Sequence, residues 1–287
     1  MLLQALKEAL LSTVRRDELS TVMDYALLPA GKLFRPRLVE ALVPTLSKNA
    51  LHLASAIELH HAYTLVHDDL PAMDNDLTRR GKASTHVHFG QWKAILAGDA
   101  LLISSFHELM KIDHKNLKKI QVLFSWATGA KGLIGGQFLD LASDNKLTFE
   151  NIIRIHELKT ARLIQVASLG SLYLNTENPN LRQTVDYFKL GREIGLTFQL
   201  LDDLSDFLDH DKDAHEENIN PYFSFADRAF EEMTHSHERL QTLIRRYRLT
   251  QLNVMLNAFF SVTKKDLLKH PHLPENFRDW ITSFSSL

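Results

Sequence analysis

Two acidic clusters, each closing a long apolar run, constrain this chain more than any other feature. The first is His67-Asp68-Asp69-Leu70-Pro71-Ala72-Met73-Asp74, entered through the largely apolar Ala62 to Val66. The second is Asp202-Asp203-Leu204-Ser205-Asp206, entered through Gly195 to Leu201. Apolar runs that end this way place both clusters at the inner ends of buried helices. Carboxylates are almost never fully buried unless paired, so six of them aimed into one interior require cations. An oxygen-only ligand set without cysteine suits Mg²⁺, or Mn²⁺, better than Zn²⁺. Mg²⁺ held by a few carboxylates completes its octahedron with water and phosphate oxygens. The pattern predicts a diphosphate held between two acidic walls; two solvated helix caps are the plainer alternative.

Spacing supports the first of these. On a helix Asp202 and Asp206 are i and i+4 and share a face, with Asp203 flanking it. Asp68 and Asp69 end a helical run. Pro71 then disfavours helix at Leu70 and opens a loop that carries Asp74 back toward the pair.

Of the 287 residues, 45% are apolar and 24% charged, enough for a large core, and only 11 Gly and 8 Pro interrupt it. The net charge of −2 leaves no nucleic-acid footprint. With no cysteine, disulfides and thiolate metal sites are excluded, and a cytoplasmic setting suits the chain. No apolar run reaches transmembrane length, and Lys7 and Glu8 among the first leucines predict an amphipathic helix rather than a signal peptide. Helical periodicity predicts helices near 2–13, 17–28, 35–47, 50–69, 91–112, 116–134, 149–175, 182–208, 222–247 and 275–285, with no sustained strand pattern. The chain is expected to be one all-α domain, 1–287, whose acidic clusters face a central cavity among antiparallel helices.

Several other residues belong to this picture. Lys32 and Arg35 stand three apart at a helix start, where two cations and free backbone N–H groups grip an anion; a surface Lys/Arg pair is the bland alternative. His61 lies two turns before Asp68 on the same face, as ligand-binding residue or as packed core histidine. Arg79 and Arg80 follow the first acidic loop, and arginine forks suit bidentate phosphate contacts. Asp99, between Ala94–Ala97 and Ala100–Ile103, is expected to be buried. Gly132 to Asp140 allows close helix packing, with Gln137 placed to donate to a phosphate or a metal-bound water. Lys159-Thr160 falls in mid-helix, and Phe198-Gln199 immediately precedes the second cluster.

Together these segments, HDDLPAMDNDLTRRGK, AILAGDALL, GLIGGQFLDL, LKTARLI and GLTFQLLDDLSD, identify a resemblance. The chain resembles the trans-polyprenyl synthases, most closely bacterial farnesyl diphosphate synthases, strongly over about residues 25–210 and weakly elsewhere. The resemblance implies an isoprenoid synthase helical bundle, usually a homodimer, that condenses isopentenyl diphosphate with an allylic diphosphate. By position it implies that Asp68, Asp69, Asp74, Asp202, Asp203 and Asp206 hold up to three Mg²⁺ on the allylic diphosphate. Arg79, Lys159 and Gln199, with Phe198 beside it, match residues at that diphosphate. Lys32, Arg35, His61 and Arg80 match the isopentenyl diphosphate pocket, and Thr160 a residue beside the reacting carbons. Tyr63, five residues before Asp68 with Thr64 next to it, matches an aromatic that accompanies farnesyl rather than longer products. On a helix its ring lies one turn below Asp68, where it would floor the cavity.

The chain departs from the family at three places. The stretch Asp209–Glu217 carries five acids and one lysine, −5 + 1 = −4, where family members bring a lysine to the diphosphate; that lysine falls at Glu216 or Glu217. The chain ends Trp280-Ile281-Thr282-Ser283-Phe284-Ser285-Ser286-Leu287 without the usual basic tail, and Arg162 stands where a small residue is usual. All three bear on the lid and the second substrate. A poorly sealed site lets water compete, so a prenyl-diphosphate hydrolase on the synthase scaffold is the alternative, and a non-catalytic partner subunit a more distant one.

Overall fold

A computed structural model of the chain describes residues 1–11, 17–142, 147–208, 214–271, 273–275, 277–278 and 281. The regular elements among the described residues are helices and one hairpin of two-residue strands: α1 (Leu2–Leu11), α2 (Glu18–Leu27), α3 (Phe34–Leu42), α4 (Lys48–Asp68), β1 (Thr78–Arg79), β2 (Lys82–Ala83), α5 (Thr85–Phe89), α6 (Gln91–Met110), α7 (Leu117–Thr128), α8 (Leu133–Leu141), α9 (Phe149–His156), a π-helical turn (Glu157–Ala161), α10 (Arg162–Asn175), α11 (Leu181–Leu208), α12 (Ala214–Ile219), α13 (Pro221–Tyr247) and α14 (Thr250–Lys269). They pack as two compact units, Met1–Leu123 with Gly170–Asn178, and Phe124–Leu169 with Pro179–Leu287.

In the first unit α4 is the axis. Every residue from Leu53 to His60 is buried, as a helix wrapped on all sides by others must be. α6 lies along it, and α1, α2 and α3 pack around it. Leu6, Leu10, Met23 and Leu27 meet Leu59, Tyr63, Val66, Ala97 and Leu101 in one apolar cluster. Ser47 caps the start of α4, its Oγ accepting from Ala50 N at 3.2 Å. α4 ends at Asp68, before Pro71, and the chain then folds back: Asp74 N donates to Asp68 O at 2.9 Å. Arg80 and Gly81 turn the hairpin with φ of +54° and +73°, the two positive values that a tight two-residue hairpin turn requires.

In the second unit α11 is the axis, packed by α13, α9 and the π turn. α8 crosses the π turn at Gly136, where a Cβ would lie 2.7 Å from Lys159 N, so only glycine allows the approach. α13 starts at Pro221 with Asn220 as its cap, the Oδ1 accepting from Tyr222 N at 3.0 Å. Phe277 stacks face to face on Phe230, ring centroids 3.9 Å apart, which ties the chain beyond α14 to α13.

The predicted helices and the observed ones differ in four ways. The stretch 116–134 is two helices, α7 and α8, broken around Gly129 and Gly132. The stretch 149–175 is interrupted by the π turn. α14 is an additional helix over residues where none is expected, and α5 and α12 are single-turn additions. Beyond Pro274 only Glu275, Phe277, Arg278 and Ile281 are helical among the described residues. Asp99 corrects a further expectation. Its side chain is 55% exposed, 3.8 Å from His67 Nε2, because Ala94, Ala97 and Leu101 bury a different face of α6 from the one Asp99 occupies.

Candidate active site

In the first unit the motif at the end of α4 divides its aspartates. Asp69 is 2% exposed and is gripped by the hairpin: Arg79 Nε donates to Asp69 Oδ1 at 2.9 Å and its Nη2 at 2.5 Å. The same guanidinium holds Asp76 Oδ2. Burial lifts the Asp69 carboxyl above its ordinary range, a rise that Arg79 only partly offsets. Asp68 is half-buried and Asp74 exposed. His67 is pinned through a 3.1 Å contact of its Nε2 with Ile95 O.

A second group, rich in cations, lies on the same unit. Arg80 reaches Pro29 O at 3.3 Å and lies against Gly31, whose Cβ position is 3.0 Å from the guanidinium. Lys82 binds the carbonyl oxygens of Tyr25 and Leu28, so the hairpin fixes the loop before α3. Arg35, in the first turn of α3, keeps its Nε buried without a hydrogen-bond partner among the described residues. His61 is held well below its ordinary pKa by burial, then by the charges of Arg35 and Arg80, and is neutral at pH 7. Beneath them Glu58 is 3% exposed. Burial raises its carboxyl, and the charges of Arg35 and Arg80 oppose that rise. Lys32 lies just ahead of α3 and is exposed. Arg35 and Arg80 thus converge on one buried carboxylate, with His61 beside the two arginines, and its single negative charge leaves the group net positive.

In the second unit the π turn aims consecutive residues at different helices. Lys159 Nζ meets Asp140 Oδ2 on α8 at 2.5 Å. Thr160 Oγ1 donates to Gln199 Oε1 on α11 at 2.7 Å. Gln199 Nε2 donates in turn to Asp203 Oδ1 at 2.9 Å, and Asn220 Nδ2 to Asp203 O at 2.7 Å. Asp203 is 4% exposed, whereas Asp202 is exposed and Asp206 half-buried. Phe198 packs on Phe259, centroids 5.6 Å apart. Gln137 is buried with neither amide atom hydrogen-bonded among the described residues, a cost that a bound polar ligand removes.

Tyr63 and Thr64 lie in the first unit. The Tyr63 ring stands edge-on to His60 at 4.7 Å and to His67 at 5.4 Å. Burial, then Asp68 and Asp99, push its hydroxyl up to about 12. Thr64 turns its hydroxyl to His61 O at 2.8 Å. Arg162 is stacked 4.5 Å over the Trp126 ring and bonds Gln165 at 2.8 Å, so its contacts are packing contacts. Residues 209–213 of the acidic stretch, and most of the C-terminal end from Trp280 onward, lie outside the described residues. Glu217 is exposed.

Sequence reasoning overlooked Glu58, Asp76, Asp140 and His156. Glu58 stands three residues before His61 and Asp76 three before Arg79, a helical or turn spacing that signals contact. Asp140 finds its partner Lys159 only in three dimensions. His156 Nε2 is 2.9 Å from Asp203 Oδ2, a buried imidazole–carboxylate contact.

The donor chemistry fits a hard divalent cation. Every candidate ligand is a carboxylate oxygen. Among the described residues no three His, Asp or Glu groups come together as a ready cage. Carboxylate-only donors suit Mg²⁺, which takes one or two of them and completes its shell with water and phosphate.

The comparisons with known proteins agree with this chemistry. Residues 16–219 match the Polyprenyl synthetase family, and the chain belongs to it. It is 37% identical over 213 residues to the farnesyl diphosphate synthase of Micrococcus luteus, covering 71% of this chain and 72% of that one. Among solved structures it resembles a geranyltranstransferase from Thermotoga maritima, with a TM-score of 0.78, 27% identity and coverage of 92% and 96%. It also resembles a geranyltransferase from Helicobacter pylori complexed with magnesium and isoprenyl diphosphate, with a TM-score of 0.76, 27% identity and coverage of 90% and 94%.

Proposed function

We propose that the protein is a Mg²⁺-dependent short-chain trans-prenyltransferase of isoprenoid biosynthesis. It joins isopentenyl diphosphate to dimethylallyl and then geranyl diphosphate, giving farnesyl diphosphate. The observation that carries this is the coexistence, on one unit, of two anion stations of opposite character. The carboxylate station at Asp68 and Asp74 accepts a diphosphate only through cations. The station of Arg35, His61 and Arg80, with Lys32 at its edge, accepts one directly. A reaction with one diphosphate that leaves and one that is retained needs that difference.

Bound Mg²⁺ supplies charge to the leaving diphosphate. Up to three ions are proposed, with Mn²⁺ as a substitute, on Asp68, Asp74, Asp202 and Asp206, and Asp69 and Asp203 set the geometry of their neighbours. Arg79 and Lys159 add fixed positive charge to the same leaving group. As the allylic C–O bond breaks, its electron pair goes to the diphosphate. The Thr160 hydroxyl proton is committed to Gln199, so the oxygen lone pairs face the carbocation. The cationic station holds the isopentenyl group so that its π electrons form the new C–C bond. Such positioning contributes on the order of 7–11 kcal/mol. The proton then leaves to the released diphosphate, and a new double bond forms. Tyr63 limits the chain to about fifteen carbons by the one-turn depth of its ring below Asp68. A homodimer in the cytoplasm is proposed as its working form; among the described residues no helix is long and apolar enough to cross a membrane.

Incubation with labelled isopentenyl and dimethylallyl diphosphates and Mg²⁺, with products separated as diphosphates, alcohols and phosphate, tests this. A fifteen-carbon diphosphate is the expected product. Phosphate and alcohol without elongation would instead indicate the hydrolase, for which the comparisons give no support and which rests on the departures in the acidic stretch Asp209–Glu217, the C-terminal end and Arg162. Glu216→Lys or Glu217→Lys would then shift the ratio toward condensation.

A further inference from the structure

The second unit holds a polar ladder whose far end, His156, has no part in the function above. α9 with its π turn runs antiparallel to the facing part of α11: His156 pairs with Asp203 and Thr160 with Gln199. Both partners on each side are four residues apart, one helical turn. Gln199 also bonds Asp203 along α11, so the four side chains form a single chain from imidazole to hydroxyl. His156, Asp203 and Thr160 are 6%, 4% and 8% exposed. The His156 and Asp203 atoms stand 2.9 Å apart, but the ring N–H is not aligned on the oxygen. The contact is electrostatic rather than a full hydrogen bond, and neither atom has another hydrogen-bond partner among the described residues.

We propose, resting on the prenyl-transfer function above, that His156 is a positioning residue that fixes, through Asp203 and Gln199, which way the Thr160 hydroxyl points. A carboxylate only accepts, whereas an amide donates at one end and accepts at the other. With Asp203 facing Gln199, the amide must present Nε2 to it and Oε1 to Thr160. Thr160 is then obliged to donate, and its lone pairs turn outward. His156 keeps Asp203 in that orientation. It occupies the second carboxylate oxygen, so the carboxylate has no reason to swing toward a cation beside Asp202. Without His156 that swing is open, Gln199 loses its partner and flips, and Thr160 accepts from the amide. Its own proton then faces the reacting carbons, where positive charge develops.

The test uses full-length parent, His156→Phe, His156→Gln, Thr160→Val and the His156→Phe/Thr160→Val double variant. In each, kcat and the KM of both diphosphates are measured. His156→Phe is expected to lower kcat by roughly 10–100-fold, the range for a residue that orients a functional group, with both KM values nearly unchanged. His156→Gln, whose amide N–H still reaches Asp203, recovers most of the loss. The double variant is no slower than the slower single one, because both changes act on the same hydroxyl. A parental kcat in His156→Phe, or a double variant whose losses multiply, overturns the proposal. Failure of the parent to condense refutes the prenyl-transfer function instead, and the ladder is then decided by NMR. The ring ¹⁵N resonances of His156, identified by their absence in His156→Gln, are expected to move in Thr160→Val. Unmoved resonances overturn the ladder whatever the activity.

Discussion

Asp69 and Asp203 occupy the same place in their motifs, second after an exposed or half-exposed aspartate, and both are buried. Asp69 is neutralised by a full positive charge brought in by the hairpin. Asp203 meets only a neutral amide, a main-chain anchor at Asn220 and an imidazole contact. The difference follows from backbone setting. The first motif ends a helix, so a short loop and hairpin can return an arginine to it. The second lies in the last two turns of a 28-residue helix, where it is reached by Gln199 one turn earlier, by Asn220 at the start of α13 and by His156 on α9. A motif followed by a returning hairpin takes a charge lock; one still inside its helix is held by oriented dipoles, which fix direction more than they offset charge.

The largest effects come from the aspartates that both locks leave accessible. Asp68→Ala and Asp202→Ala should each lower kcat by roughly 10³-fold, the upper range for removing one electrostatic contact to a transition state. Melting temperatures should hold or rise slightly, since like charges are relieved. Residual rates within tenfold of the parent would end the equivalence of the two motifs. Five residues before each motif the comparison sharpens. Tyr63 is an aromatic wedge, and Thr197 a fully buried hydroxyl 3.3 Å from Ser236. Tyr63→Ala should cost about 3–5 kcal/mol by denaturation and lengthen the product. Thr197→Val should cost about 1 kcal/mol and leave product length unchanged. Equal product lengths in both variants would move the cavity floor away from Tyr63.

The locks themselves are next. Arg79→Met strands a buried carboxylate and should cost about 2–3 kcal/mol at pH 7, less than for a fully buried pair because the arginine is a third exposed. Folded Asp69 already titrates high, so its contribution favours the protonated form. The variant should therefore regain stability relative to the parent as pH falls. Gln199→Leu should cost only about 1 kcal/mol. Equal costs, seen in chemical denaturation at pH 7 and pH 5, would erase the distinction between charge lock and dipole lock. A further effect, confined to pH below about 6.5, is spread over both units. Burial lowers His60 to about 3 and His237 to about 4, with His61 also depressed. These histidines bind protons unfolded, below about pH 6.5, but not folded. Stability is therefore complete above that value and falls as pH drops toward 4, by at most about 1.4 kcal/mol per pH unit for each group. His60→Leu should flatten the slope; an unchanged slope would put the titration elsewhere.

The axial helices were legible because their apolar residues recur over many turns, and the aspartates and arginines because their types are rare beside apolar runs. α14 was not. Its buried positions, Leu252, Leu256, Phe260 and Leu267, are diluted by Asn253, Val254, Asn257 and Thr263, and no side-chain cap marks its start. Asp99 misled because apolar neighbours signal a buried helix without saying which face is buried. Asp140 was out of reach because its partner Lys159 is assigned by folding alone. His156 was within reach: it stands four residues before Thr160, the spacing that already linked Asp202 to Asp206.

The π turn has a bearing on how such a chain tolerates change in length. Glu157–Ala161 accommodates one residue more than an α-helix of the same span, and each residue in a helix turns its successors by about 100°. The stretch 149–175 behaves as two rods phased against each other by a single codon. Deleting one residue there would leave α9 and α10 continuous and well formed. It would also rotate Lys159 off Asp140 or Thr160 off Gln199, according to which side yielded. The arrangement that separates the lysine from the threonine is thus a matter of helical phase, open to gain or loss by an indel that no substitution could imitate.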